Sequence, residues 1–210
     1  MTDKTYWENY YAQQNQPFQP SEFAVDCVRD HLKSGMTLLE LGCGNGRDAI
    51  FMANHGLSVI AVDQCQQEID FLNQFAVRHN LFFDRQDFSR LPYNGKFDAI
   101  YSRFTLHAIT HPQEMRTLKW SAQHLKYGGF LLIEARGTQN EYFGRGKKVA
   151  GERNAFIYEG HYRRFLDKKV TVKQIEKNGM TVVSADERNG RAPFNGTDYK
   201  FLRIIAQKTR

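Results

Sequence analysis

Cysteine is scarce in this chain. Cys27, Cys43 and Cys65 are its three thiols, and they lack the paired spacing of a metal knuckle, which argues against both a disulfide scaffold and a structural zinc site. No grouping of His, Cys, Asp and Glu with metal-ligand spacing is visible, so no metal is expected. No apolar run reaches the length that spans a bilayer, and no early segment joins a basic start to an apolar stretch and a cleavage site. A soluble, cytoplasmic protein without membrane contact is the expectation. Tryptophan is also rare: two residues against 16 Phe and 10 Tyr, so phenyl and phenol rings supply the aromatic surface. No internal repeat and no recognisable RNA-binding module occurs.

What is present fits one globular unit. The 210 residues suffice for one full core, and 41% hydrophobic with 25% charged residues is ordinary globular composition. A single domain over residues 1–210 is expected. The net charge of +6 biases the search towards anionic partners without establishing nucleic-acid binding.

The stretch that organises the chain is Leu38–Asp63. An apolar run, Leu38-Leu39-Glu40-Leu41, stops at Gly42-Cys43-Gly44-Asn45-Gly46, restarts as a helix, and is followed by Val59-Ile60-Ala61-Val62-Asp63. Alternating glycines permit unusual dihedrals and close backbone approach, and the following helix start offers unpaired N–H groups. A carboxylate ending the next strand can accept from both hydroxyls of a ribose. The spacing therefore places a nucleoside-cofactor site at the carboxyl ends of parallel strands.

Around that centre the periodicity predicts strands over Met36–Leu41, Leu57–Val62, Leu81–Gln86, Phe97–Ser102 and Phe130–Ala135, alternating with helices. The helices are Ser21–Ser34 with Ser21 as cap, Arg47–Asn54, Gln64–His79 and Pro112–Lys126. The alternation gives an α/β fold with a mostly parallel sheet. Thr171 and Gln174 read as a capping pair opening a short helix closed by Gly179. Two further strands, Met180–Ala185 and Tyr199–Gln207, have no room for a crossover helix between them and should be antiparallel neighbours. Two segments break the rhythm. Residues 1–20 hold Tyr6, Trp7, Tyr10, Tyr11 and Phe18, and are expected to form a lid or cap over the cleft. Residues 137–166 are too long for an ordinary connection and read as a substrate-side loop.

Leu39–Gly46 followed by Val62-Asp63 resembles the first two motifs of class I S-adenosylmethionine-dependent methyltransferases. The resemblance extends to Asp87-Phe88 after strand three, to Lys96–Ser102 as the fourth-strand motif, and to Leu125–Glu134 as the turn and fifth strand. It covers about residues 36–135 in order, and the terminal antiparallel pair fits the family's Rossmann-like, seven-stranded sheet with helices on both faces and an antiparallel C-terminal strand. A dinucleotide fold is disfavoured: Glu40 stands where its fingerprint keeps an apolar strand end, and Gly42-x-Gly44-x-Gly46 lacks the Gly-x-Gly-x-x-Gly spacing. The resemblance implies a small bacterial-type methyltransferase using S-adenosylmethionine and releasing S-adenosylhomocysteine.

Carried over by motif, Glu40 orients the turn and helps hold the methionyl end, and Gly42, Cys43, Gly44 and Gly46 admit the cofactor. Asp63, followed by Gln64, accepts from the ribose; Asp87 and Phe88 meet the adenine; Ser102 contacts the methionyl part. Asp98 reads as a sheet-edge anchor rather than a ligand. The Asn/Asp-Pro-Pro-Tyr/Phe signature of base-amino methylation is absent, since strand four runs on as Ser102-Arg103-Phe104-Thr105.

The acceptor side is read from chemistry. Transfer of an activated methyl needs alignment, plus a base where the nucleophile is a hydroxyl or ammonium. His107 and His161 are the candidate bases, and Arg103 is expected to share one helical face with His107. Phe156–Phe165 contains a His-x-Arg-Arg-Phe segment similar to one in some small bacterial members of the superfamily. Arg103, Arg136, Arg163 and Arg164 are candidate clamps for a carboxylate or phosphate, and Tyr11, Phe18, Tyr158 and Tyr162 candidate walls. A small anionic acceptor follows, such as a phosphorylated or nucleotide-linked sugar or a surface-glycan precursor. The alternatives are an RNA methyltransferase, disfavoured by the shortness of the basic run Gly144–Lys148, and a non-catalytic cofactor-binding partner subunit.

Overall fold

The computed structural model describes residues 19–76, 78–193 and 196–209. The expected lid, with Tyr11 and Phe18, lies outside the described residues. The elements, in chain order, are α1 (Glu22–Asp30), β1 (Thr37–Leu41), α2 (Arg47–Asn54), β2 (Ser58–Asp63), α3 (Gln66–Phe75), β3 (Leu81–Arg85), β4 (Phe97–Arg103), α4 (His111–His124), β5 (Leu125–Ala135), β6 (Lys147–Lys148), β7 (Ala155–Tyr158), β8 (His161–Arg164), α5 (Lys168–Lys177), β9 (Met180–Arg188) and β10 (Phe201–Lys208).

Seven strands form one sheet in the order β3-β2-β1-β4-β5-β10-β9. Strands β1 to β5 are mutually parallel, and β10 runs antiparallel to both β5 and β9. This is the Rossmann-like class I methyltransferase architecture. Strands buried on both faces need apolar side chains throughout, and Leu38, Leu39 and Leu41 of β1 are all buried. One core cluster takes Leu118 and Ala122 of α4 and Ile175 of α5; the other takes Phe23 and Cys27 of α1, Met52 of α2 and Leu72 of α3. Helices thus cover both faces.

The caps explain several boundaries. The Ser21 hydroxyl accepts from the Ala24 amide and starts α1, which ends at Asp30, earlier than its apolar face suggested. Thr110 and Gln113 form a reciprocal capping box that opens α4 one residue before Pro112. Helix α5 opens at Asp167, whose carboxylate accepts from the Val170 amide, so the expected cap Thr171 lies inside the helix. Asp98, expected to anchor the sheet edge or a turn, instead ties the central strands β4 and β1, accepting from both the amide and the hydroxyl of Thr37 at 2.8 Å.

Two departures matter for the site. First, β5 begins directly after α4 and runs through Tyr127-Gly128-Gly129, which had read as a turn. A side chain at Gly129 would press its Cβ to 2.8 Å from the Asp98 carbonyl oxygen, so the glycine serves close strand approach. Second, residues 137–166 are not a plain loop. They fold into a three-stranded antiparallel sheet, β6-β7-β8. Its last hairpin closes through Glu159-Gly160, both with positive φ as a tight primed turn requires. Three rings, Phe143, Phe156 and Phe165, pack edge to face beneath it.

Candidate active site

Strand β1 ends in a bare backbone turn. The amides of Gly42 and Cys43 both donate to the Val62 carbonyl, at 2.8 and 2.9 Å, which curls the turn over the end of β2. Gly42, Gly44 and Gly46 have φ of 75°, 52° and 72°. At Gly46 a Cβ would meet Leu72 Cδ2 at 2.8 Å and the Phe83 ring at 3.0 Å, so the packing also requires glycine. Asp63, ending β2, accepts from the Gly44 amide at 3.0 Å through Oδ2 and from the Cys65 amide at 2.9 Å through Oδ1. Burial raises its pKa, and those amides act in the opposite direction.

A cavity of about 680 Å³ opens over this turn and runs across the ends of β1, β4 and β5. Its β1–β2 side is lined by Glu40, the backbone from Gly42 to Asn45, Asp63, Gln64 and Cys65, with Phe88 as an aromatic wall. Its β4–β5 side is lined by Arg103, His107, Arg136, His161 and Arg163. The lining thus holds the carboxylates Glu22, Glu40, Asp48 and Asp63 together with a group of guanidinium and imidazole side chains. Arg47 and Arg103 are close enough to Glu40 to act on its charge, whereas Arg136, His161 and Arg163 cluster around His107.

The expected site residues do not all reach the cavity. Asp87 caps a short 3₁₀ turn by accepting from the Ser89 amide and does not line the cavity, whereas its neighbour Phe88 does. Gly46 supports the turn from behind, and the Ser102 hydroxyl is buried against that of Thr105, which takes the lining position. Arg103 and His107 both face the cavity, but not as a helical pair. Arg103 still belongs to β4 and places Nε 2.9 Å from Glu134 Oε1, while His107 sits in a 3₁₀ turn.

In β8, side chains alternate between faces. His161 and Arg163 line the cavity; Tyr162 and Arg164 point the other way. Arg164 is therefore not part of the expected clamp: it is buried, pairs with Glu114 at 2.8 Å, and donates to the carbonyls of Leu106 and Ile109. Tyr158 stands behind Arg163, its carbonyl accepting from Nη1 at 2.7 Å. Arg163 has no carboxylate at ion-pair distance among the described residues; its guanidinium lies over the rings of Tyr142 and Tyr158.

Sequence reasoning missed a third wall. Arg191, Thr197 and Tyr199 from the β9–β10 connection and Phe201 at the start of β10 line the cavity, as does Tyr142. A connection of 12 residues between antiparallel strands exceeds a tight hairpin, and that excess length was the available signal.

A methyltransferase-domain family model matches residues 14–185. The chain belongs to that family. S-Adenosylmethionine is the methyl donor of the class and S-adenosylhomocysteine its product. Among its relatives, the cypemycin N-terminal methyltransferase of a Streptomyces species is 31% identical over 153 residues, 71% of this chain and 59% of that protein. Phosphoethanolamine N-methyltransferase 1 of Triticum aestivum is 30% identical over 187 residues, 84% of this chain but 33% of that protein. The chain thus spans three-fifths or less of the length of these relatives. A SAM-dependent methyltransferase structure from Methanosarcina mazei superposes with a TM-score of 0.74 at 18% identity, covering 87% of this chain and 96% of that one. Among the described residues no helix is long and apolar enough to cross a membrane, and no group of three or more metal-ligating side chains occurs.

The residues present fit the donor. Glu40 is buried, and its Oε2 has no hydrogen-bond partner among the described residues, a costly arrangement unless an incoming N–H group completes it. Burial, followed by the nearby Asp48 and Asp63 carboxylates, raises its pKa well above the usual carboxylate range. A carboxyl raised in the folded state makes folding less favourable as pH climbs from its unfolded value through its folded one. Glu40→Gln is therefore expected to raise the melting temperature of the ligand-free protein at neutral pH by a few degrees, on the order of 1 kcal/mol in a chain of this size. It should also weaken S-adenosylhomocysteine binding roughly tenfold, the scale of one lost charged contact. Calorimetric melting and titration of the same samples check both; a variant less stable than its parent would show that Glu40 supports the fold rather than the ligand.

Proposed function

We propose that this protein transfers a methyl group from S-adenosylmethionine to a small anionic acceptor, such as a phosphorylated or nucleotide-linked sugar or a surface-glycan precursor. The observation that carries this reading is that one cavity holds Glu40 and Asp63, on β1 and at the end of β2, and a cationic group of Arg136 and Arg163 around His107, after β5 and on β8. A donor bearing an ammonium and a sulfonium belongs beside the carboxylates, and an acceptor bearing carboxylate or phosphate beside the cations.

When bound, S-adenosylmethionine supplies a methyl group already activated by positive sulfur. Alignment is then the main task of the chain. Asp63 accepts from the ribose hydroxyls, Glu40 meets the methionyl ammonium, and Phe88 covers the adenine. Arg163 and Arg136 hold the acceptor's anionic group, with Tyr142 between them: the two guanidinium carbons lie 5.6 and 5.2 Å from its ring centre. Arg103, fixed by Glu134, also faces the cavity. His161 takes the proton where the nucleophile carries one. The wheat relative's name specifies an acceptor that itself carries a phosphate, which agrees with this assignment.

The test is turnover. The chain with S-adenosylmethionine and a panel of phosphorylated and nucleotide-linked sugars, matched with their neutral counterparts, should release S-adenosylhomocysteine only with anionic members. Arg163→Ala should raise KM for the active acceptor about tenfold, the scale of one exposed charge-assisted bond, and leave donor affinity unchanged. Turnover of neutral acceptors alone, or an unaltered KM in the variant, would overturn the anionic assignment.

A further inference from the structure

His107 invites a base role because it lies at the end of β4 inside the cavity, yet its hydrogen bonding contradicts that role. The Arg136 amide donates to His107 Nδ1 at 3.1 Å. A backbone amide has only a proton to offer, so Nδ1 must present its lone pair, and the ring proton resides on Nε2. Nε2 meets no hydrogen-bond partner among the described residues, and the residue lines the cavity. Protonating the ring would put a hydrogen on Nδ1 against the Arg136 N–H and break that bond.

The surroundings act in the same direction. Around the ring stand Arg136 from the end of β5 and His161, Arg163 and Arg164 from β8, while Phe104 packs 5.7 Å away, ring centre to ring centre. Arg164 is partly balanced by Glu114, at 2.8 Å. Burial, then Arg136, His161, Arg164 and Arg163, hold the imidazole well below the usual histidine range.

From this geometry we infer that His107 is held as an Nε2–H donor that grips an oxygen of the acceptor and takes no proton from it. This replaces the proton-accepting role expected from sequence, and it rests on the proposed acceptor chemistry for the identity of the oxygen. The ligand chemistry is an oxyanion, either carboxylate or phosphate. A cationic imidazole would offer hydrogen bonds to the same oxygens only after taking up a proton; the tautomer fixed by the Arg136 amide offers one without it. His107 thus selects for oxygen at that point and rejects an acceptor presenting an N–H there, since two donors would face each other.

The experiment is nitrogen-15 NMR of the full chain, with the His107 ring signals assigned by their loss in His107→Gln and, should that variant misfold, in His107→Asn. Expected is the Nε2–H tautomer with no titration between about pH 5 and 8. At constant ionic strength, inorganic phosphate or acetate should shift the Hε2 resonance downfield and slow its exchange, and the stronger of the two identifies the oxyanion. An Nδ1–H tautomer, a titration midpoint within that window, or an Hε2 signal indifferent to both anions would overturn the inference. The readout needs no turnover: S-adenosylhomocysteine failing to bind by calorimetry would refute the proposed function while leaving the tautomer measurable.

Discussion

Asp63→Ala is expected to reduce affinity for S-adenosylhomocysteine by a factor of roughly 10² to 10³, from the loss of two hydroxyl contacts to a carboxylate at about 1.5–3 kcal/mol each, part of which water recovers. The position makes this the largest single contact available to a nucleoside. The carboxylate ends β2, one strand away from the glycine turn, and each of its oxygens already accepts one backbone amide, from Gly44 and from Cys65. Those amides fix the plane of the group, and the Gln64 amide also favours its ionised form. Asp63→Asn should fare little better. Its NH₂ would confront a backbone N–H whichever way the amide is turned, because both neighbours are donors.

The effect should depend on pH with a definite sign. Burial raises the Asp63 pKa in the ligand-free protein, and ribose hydroxyls favour the ionised form. Affinity should therefore decline on acidification, beginning at a higher pH than an ordinary aspartate would give. Isothermal titration at several pH values measures this. Both variants lose contacts within the turn, so folding is checked by melting on the same samples; binding within threefold of the parent by a folded variant would remove Asp63 from the ribose site.

The β1–β2 side of the cavity, proposed for the donor, was legible in sequence because its determinants are local. Strand, glycine turn, helix and acidic strand end lie within Leu38–Asp63, and each follows from dihedral freedom or strand burial over a few residues. Asp87 shows the limit of that legibility: a motif neighbour one residue from the cavity wall uses its carboxylate as a cap. The side proposed for the acceptor was less legible because it is assembled from distant pieces, namely β8, the β9–β10 connection and the end of β5. Reading residues 137–166 as a loop also hid their period of two. Recognised as a strand, His161–Arg164 would have separated Arg163 from Arg164, the one lining the cavity and the other buried against Glu114. Arg203 gave no local sign that it would be buried either. Only the register between β5 and β10 sets it opposite Glu134.

That register underlies the largest expected loss of stability. Glu134 is fully buried on β5, with Oε1 2.9 Å from Arg103 Nε and Oε2 2.5 Å from Arg203 Nε. Glu134→Ala would leave two guanidinium groups facing each other across a cavity, with Asp26, 2.8 Å from Arg203 Nη1, as the remaining ion-pair partner of Arg203 and only the more distant field of Asp48 on Arg103. Stranding buried charges in this way costs about 3–5 kcal/mol, which corresponds to a melting temperature lower by roughly 10 °C in a chain of this length. Glu134→Gln keeps one acceptor oxygen and should lose less. The consequence reaches the cavity from both sides, since Arg103 lines it and Arg203 Nη2 holds the carbonyl of Arg191 on the β9–β10 wall at 2.9 Å. The penalty is expected to lie in the unpaired cations rather than in lost attraction, because a buried triad often gains little net free energy over apolar residues of equal size. Replacing all three as Arg103→Met, Glu134→Leu and Arg203→Met should therefore recover most of the melting temperature lost by Glu134→Ala while leaving the cavity without its Arg103. A triple variant as unstable as the single one would show instead that the ion pairs themselves hold β4, β5 and β10 together.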